Sequence, residues 1–230
     1  MRKTHPFYPF IKQLKSFIAP ASFPNNCTSE VAMELPVVKL KNCIFLQNRY
    51  ALLDKLPKNS LGAEVGVLAG DFSEAILNTC KPKELVLIDL FDCKDFKMKN
   101  RFDSKGNLDF VEQRFKKEIQ ESVVKVLQGN SWTILEMFPD NYFDWIYIDA
   151  AHDYHSVKKD LEQAHRIIKN DGLIIMNDYI MFDHISGVPY GVVQATNEFM
   201  IMKNYEMAYY AFHPQLFCDV AIRRSKPKQA

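Results

Sequence analysis

No apolar run in this 230-residue sequence approaches the length of a membrane span, which takes about 20 consecutive apolar residues. No membrane partner is expected. The opening stretch MRKTHPFYPFIKQLKSF has basic side chains but neither an uninterrupted apolar segment nor a small-residue cleavage site, so no secretory leader is expected and the protein should be cytoplasmic. The five cysteines, Cys27, Cys43, Cys80, Cys93 and Cys218, are odd in number and include no C-x-x-C pair. That argues against a disulfide framework or a zinc site and for reduced thiols. Charge of one sign is also lacking: 29 Lys and Arg against 28 Asp and Glu leave a formal net charge of +1. Such a balance gives no field to hold a polyanion, so no nucleic-acid partner is expected, and the basic stretch from Arg223 to Lys228 reads as a solvated terminus. Two nucleotide signatures are missing as well. There is no G-x-G-x-x-G and no G-x-x-x-x-G-K-[ST], which excludes the dinucleotide fingerprint and the phosphate-cradling P-loop.

What is present is LGAEVGVLAGDFSEAIL, Leu61 to Leu77. An apolar run ends in Glu64-Val65-Gly66, Gly70 follows, and a helix-like segment begins. Glycines at such a strand-to-helix turn let the backbone approach a ligand and adopt a tight turn, and the free N–H groups of the helix start suit an anionic group. After a helix from Phe72 to Asn78, Glu84 to Asp89 (ELVLID) reads as a buried strand ending in an acid. A carboxylate about twenty residues beyond the first glycine can accept ribose hydroxyls. Val124 to Leu127 forms a third strand closing on Gly129-Asn130-Ser131, and Phe143 to Asp149 (FDWIYID) a fourth. Ser156 to Lys169 places Val157, Leu161, Ala164, Ile167 and Ile168 at helical spacing. Asn170-Asp171-Gly172 is expected to stop that helix before a strand from Leu173 to Met176. The alternation predicts a parallel α/β sheet, with polar residues gathered past the strand ends, where such sheets bind ligands.

The E-x-G-x-x-x-G loop resembles motif I of the class I S-adenosylmethionine (SAM) methyltransferases. The resemblance implies a Rossmann-like, doubly wound, mostly parallel seven-stranded sheet with an antiparallel last strand, formed here by a hairpin of Glu206–Phe212 and Phe217–Arg223. It implies SAM contacts from Glu64, Gly66, Leu68, Gly70, Phe72, Ser73, Asp89, Leu90, Asn130, Ser131 and Asp149. More narrowly, Asp149-Ala150-Ala151-His152-Asp153-Tyr154, then Asp171-Gly172, then Asn177-Asp178-Tyr179 resembles the small-molecule O-methyltransferases of the macrocin type. Ala150 and Ala151 depart from that family's glycine region, and Asn177 stands where it carries a first Asp. Catechol O-methyltransferase, a more distant relative, also mixes an Asn with two Asp around magnesium. The resemblance covers Leu61 to Arg223, with Tyr190-Gly191-Val192 in family style.

Three segments are expected: an N-terminal cap or lid over residues 1–50, including one helix from His5 to Phe17; a methyltransferase domain over 51–224, opened by a helix within Asn48 to Leu56; and a basic tail over 225–230. The reading allows a homodimer. Methyl transfer from a sulfonium is an in-line displacement, so the protein must align the nucleophile and remove its proton. By resemblance, Asp149, Asn177 and Asp178 bind Mg2+, a hard cation suited to oxygen ligands, and Asp149 belongs to the catalytic set. His152 is the expected base, because imidazole titrates near neutral pH. The expected acceptor is a hydroxyl of a sugar or natural product; the alternatives are a metal-independent enzyme with a nitrogen acceptor and a SAM-binding module without catalysis. Each assignment has a structural alternative: Asp89 can cap the segment after it, Asn130 and Ser131 can form an ordinary turn, and the strand-end acids can serve helix caps and loop amides.

Overall fold

The central strands that carry the predicted motifs, Leu61–Val65, Glu84–Asp89 and Phe143–Ile148, are buried on both faces, as parallel strands covered by helices must be. The computed structural model describes residues 32–93 and 106–226; the expected helix over 5–17 lies outside them, as do Cys27 and residues 227–230 of the tail. The chain runs through β1 (Ile44–Leu46), α1 (Arg49–Leu53), β2 (Leu61–Val65), α2 (Asp71–Cys80), β3 (Glu84–Asp89), α3 (Asn107–Arg114), α4 (Lys116–Gln120), β4 (Val124–Gln128), α5 (Ser131–Glu136), β5 (Phe143–Ile148), α6 (Tyr154–Ile167) and β6 (Ile168–Met176). A small hairpin, β7 (Phe182–Asp183) and β8 (Val188–Pro189), then leads into α7 (Val192–Met202), β9 (Tyr205–Ala211) and β10 (Asp219–Arg224).

Eight strands form one sheet in the order β1-β9-β10-β6-β5-β2-β3-β4. All run the same way except β10, which is antiparallel to both β6 and β9. The expected antiparallel last strand is therefore present. The eighth strand is β1, which adds to the expected seven by pairing in parallel with Tyr209–Ala211 of β9. Strand order reverses at β2, which has β3 on one side and β5 on the other. Such a switch point opens a crevice at the carboxyl ends of the strands.

Two boundaries moved for local reasons. Helix α6 starts at Tyr154 because Asp153 caps it, its side chain accepting from the His155 and Ser156 amides. Asn170-Asp171-Gly172 does not separate helix from strand. It lies inside β6, where the register against β5 shifts between Phe143 and Trp145; a Cβ on Gly172 would stand 2.6 Å from Ile168 and 2.9 Å from the Asp144 carbonyl. Among the aromatics, Phe143, Trp145 and Tyr147 are fully buried and belong to the core.

Candidate active site

Adjacent strand ends deliver the predicted residues to one edge. Gly66 N–H donates to the Ile88 carbonyl at 2.8 Å, Asp149 N–H to Val65 at 2.7 Å, and Asn177 N–H to Ile148 at 2.9 Å. These bonds hold the ends of β2, β5 and β6 in step. Between the ends of β2, β3, β4 and β5 lies a cavity of about 670 Å³, within the usual range for a small-molecule or cofactor site. Glu64, Gly66, Leu68, Phe72, Asp89, Leu90, Asn130, Ser131 and Asp149, all predicted, line it, joined by Asp92 and Trp132.

The glycine loop is fixed from beneath. Asp89 Oδ2 accepts from the Val67 and Leu68 amides at 2.7 and 2.9 Å, and Oδ1 from Phe91 at 2.7 Å. Asp89 thus clamps the loop and caps the segment after it, while Oδ1, with one bond, retains capacity for a hydroxyl. Gly66 has φ +95°, and a Cβ there would stand 1.8 Å from the backbone oxygen of Asp149. The glycine is required by the close approach of β5, not only by ligand space. Gly70 and Ser73 do not line the cavity. Gly70 packs against Phe115 at the start of α2. Ser73 is fully buried behind Glu64 and donates to its Oε2 at 2.5 Å, so it orients a cavity residue instead of meeting the ligand. Burial raises the Glu64 carboxyl to about 8, opposed by the Ser73 bond and helped by Asp149.

Beyond Asp149 the site turns acidic, and residues that the sequence reading missed organise it. Arg49 of α1 reaches Asp149 Oδ2 from its Nη2 at 3.1 Å, the Tyr147 hydroxyl from its Nε at 3.1 Å and Asp219 Oδ2 from Nε at 3.4 Å. Its guanidinium carbon sits 3.7 Å above the centre of the Phe72 ring. Burial works against its charge, but Tyr147, Asp219 and Asp149 outweigh that and raise its pKa. Asp219, from β10, is nearly inaccessible. It accepts from the Tyr147 hydroxyl, from Asn177 Nδ2 at 3.0 Å and from the Asp178 amide at 3.4 Å. Burial raises the carboxyls of Asp149 to about 7 and Asp178 to about 6; Arg49 opposes both shifts, Asp178 adds to the first and Asp219 to the second. Glu64 is neutral at ordinary pH, and Asp149, Asp178 and Asp219 together outnumber the Arg49 guanidinium, an arrangement suited to a cationic ligand, which would favour their ionised forms.

His152 lies just outside the cavity. Its Nε2 is 3.9 Å from Asp149 Oδ1 and 3.6 Å from Asp178 Oδ2, buried and without a hydrogen bond. Tyr190 stacks on the imidazole with centroids 4.4 Å apart and planes at 14°, and Gly191 N–H donates to the His152 carbonyl at 2.8 Å. Burial lowers the His152 pKa, with Asn177 and Asp183 pulling the other way. The ring is therefore neutral at ordinary pH and able to take a proton.

The three side chains expected to bind magnesium do not fit that role as arranged. Asp149 is paired with Arg49, and Asn177 gives its amide to Asp219. Among the described residues no group of three His, Cys, Asp or Glu stands where it could hold a metal ion.

The family model described as "Methyltransferase domain" matches residues 63–179, the span from the glycine loop to Asp178-Tyr179. The chain belongs to this methyltransferase family. It is a class I SAM-dependent enzyme, and the cavity fits the cofactor: it is large enough, it has an acidic wall for the sulfonium, and Asn130, whose buried Oδ1 has no partner of its own, is among the residues that line it. No curated protein matches the sequence. Among solved structures, a SAM-dependent methyltransferase from Aquifex aeolicus is similar at 17% identity and TM-score 0.54, over 77% of this chain and 89% of that one. A putative rRNA methylase from Clostridium thermocellum gives 9% and 0.55, over 80% and 100%. The B. subtilis M1A22 tRNA methyltransferase TrmK gives 16% and 0.53, over 79% and 67%. At these identities the likeness is one of fold.

Proposed function

We propose that this methyltransferase acts on a hydroxyl of a small molecule, with His152 as the general base. The observation that carries the reading is the imidazole itself: a buried, unbonded Nε2 beside the cavity, facing two carboxylates and held flat by Tyr190. SAM supplies an activated methyl group on a positively charged sulfur. As the acceptor oxygen attacks that carbon in line, His152 takes the hydroxyl proton, and Asp149 and Asp178 stabilise the imidazolium that results. Arg49 and Asp219 keep those carboxylates in place. The macrocin-type pattern at Asp149 to Tyr154 supports an oxygen acceptor, and a net charge of +1 supports a small acceptor over an RNA.

The test is a screen of hydroxylated sugars, phenols and natural products, together with tRNA and rRNA, read by S-adenosylhomocysteine release. With the acceptor found, His152→Ala should lower the methyl-transfer rate by about 10²–10⁴-fold, the usual cost of losing a general base, and leave SAM affinity unchanged by calorimetry. The acidic limb of the pH profile should disappear with it. A variant with unchanged rate and pH profile would refute the base assignment, and methyl transfer confined to RNA would refute the acceptor class. Turnover should persist in excess chelator. Loss that magnesium restores would instead favour a hard-ligand role for Asp149, Asn177 and Asp178.

A further inference from the structure

The turn from β2 into α2 holds three residues at positive φ, and only two of them are glycine. Gly66 stands at +95° and Gly70 at +74°, but between them Leu68 stands at +53°. That region is uncommon for a residue with a Cβ, which crowds the following carbonyl. Leu68 therefore has to be held there. Its amide donates to Asp89 Oδ2, and its carbonyl accepts from Asn107 Nδ2 at 2.9 Å. Asn107, the first residue of α3, is 1% exposed, and its Oδ1 accepts from the Cys93 amide at 3.3 Å. One carboxamide thus ties together the segment after β3, the glycine loop and α3. At the other end of α3, Arg114 Nη1 donates to the Ala69 carbonyl at 2.8 Å, and the same guanidinium reaches Asp71 at 2.6 Å and Glu74 at 2.9 Å in the first turn of α2. Phe115 completes the row against Gly70, where a Cβ would stand 2.6 Å from its ring. Leu68 and Ala69 line the cavity, whereas Asn107 and Arg114 do not.

We propose that Asn107 and Arg114 are positioning residues of the methyl-donor site: from the two ends of α3 they clamp consecutive loop carbonyls and keep Leu68 in the left-handed conformation that cofactor binding uses. Asp89 cannot do this alone. It holds only the amide side of Leu68, and the carbonyl side would be free to turn. Without the clamp, Leu68 relaxes toward the ordinary regions of backbone space, the fraction of protein with a competent loop falls, and apparent affinity falls with it. Two bends of the loop are thus supplied by glycine, and the third is imposed from outside by α3. The inference depends on the cofactor and is independent of His152 and of the acceptor.

Calorimetry of the whole protein with S-adenosylhomocysteine tests it without turnover. Asn107→Asp keeps the acceptor for Cys93 and removes the donor to Leu68, so it should weaken binding by about tenfold. Glycine enters the left-handed region freely. In a Leu68→Gly background the same Asn107→Asp change should therefore cost no more than about threefold, whereas a residue that only fills space behind the loop would cost the same in both backgrounds. Arg114→Met changes a side chain that is 20% exposed and releases the Ala69 carbonyl; it should weaken binding by about threefold or more, and by less once Leu68→Gly is present. Arg114→Lys keeps a donor for that carbonyl and should recover part of the loss. Equal losses with and without Leu68→Gly, or wild-type affinity in both Asn107→Asp and Arg114→Met, would assign α3 to packing alone and overturn the proposal. Wild-type protein that binds no S-adenosylhomocysteine would overturn the cofactor assignment along with it.

Discussion

Replacing Arg49 removes the guanidinium that pairs with Asp149 and Asp219. In Arg49→Met, the chain keeps a stem of similar length over the Phe72 ring, but the contacts at 3.1 Å to Asp149, 3.1 Å to Tyr147 and 3.4 Å to Asp219 disappear together. Breaking a buried pair by removing one partner costs about 3–5 kcal/mol, because the remaining charge is left uncompensated. For a domain of this size, about 1 kcal/mol moves the midpoint of thermal unfolding by roughly 2–4 °C, so a fall of about 6–20 °C is expected at pH 8. The loss should depend on pH. Without Arg49 the two carboxyls bind protons more tightly in the folded state, so the variant regains stability as pH falls. The gap to wild type should narrow by roughly 1–2 kcal/mol between pH 8 and pH 5.5. Arg49→Lys keeps the charge but not the fork and should fall between the two. Urea unfolding at both pH values, with SAM absent, is the assay. A variant within about 0.5 kcal/mol of wild type at pH 8, the range of an ordinary surface change, would show that the carboxylates do not depend on Arg49. A large loss that is equal at both pH values would show that packing, not charge, was removed.

Further outcomes follow from neighbouring residues. Gly66→Ala should cost about 1–3 kcal/mol through overpacking, since its Cβ would meet the Asp149 carbonyl at 1.8 Å; unchanged melting with lost SAM binding would mean that the methyl group fills ligand space only. Glu64 has a folded-state pKa of about 8, raised by burial from 4.5. Its contribution is complete below the unfolded value and lost as pH rises through 8, so the melting temperature without cofactor should decline between pH 5 and pH 8.5, and Glu64→Gln should flatten that decline. Tyr190→Leu should lower kcat by about 10–100-fold through a misplaced imidazole without changing SAM affinity, whereas Tyr190→Phe, which retains the stacking ring, should stay near wild type. Equal kcat values for the two variants would show that the stack on His152 has no part in turnover.

The cofactor half of the site was legible because its signals are local. Glu64, Gly66 and Gly70 fall within one turn, Asp89 ends an unmistakable strand, and Asn130 and Ser131 close another. The pattern could not say why each residue is there: Gly66 answers to the backbone of β5, Asp89 to three loop amides, and Ser73 to Glu64. The reaction half was only partly legible. Asp149, His152 and Asp178 sit at strand ends that sequence can find. Arg49 and Asp219 come from opposite ends of the chain and meet only because β10 inserts beside β6. Arg49 reads as an ordinary residue of a short helix and Asp219 as part of a hairpin. Nothing in either stretch indicates a partner 100 or 42 positions away, as Arg49 has in Asp149 and Asp219 in Asn177. The magnesium expectation finds no support for the same reason, since Arg49 holds Asp149 and Asp219 holds Asn177, two of the three side chains named as ligands.

The placement of Asp219 divides the site in the order of synthesis. Every residue lining the nucleoside cavity falls between Glu64 and Ser156, so a nascent chain that has emerged through β6 already carries the whole lining. The acid that fixes Tyr147, Asn177 and Arg49 arrives only with β10, 72 positions after Tyr147. Until that strand slots in beside β6, Arg49 and Asp149 have each other but no common anchor, and Tyr147 has a buried hydroxyl with no carboxylate to receive it. The pocket for the methyl donor is thus written into the chain early, and the reaction centre is completed by its last strand.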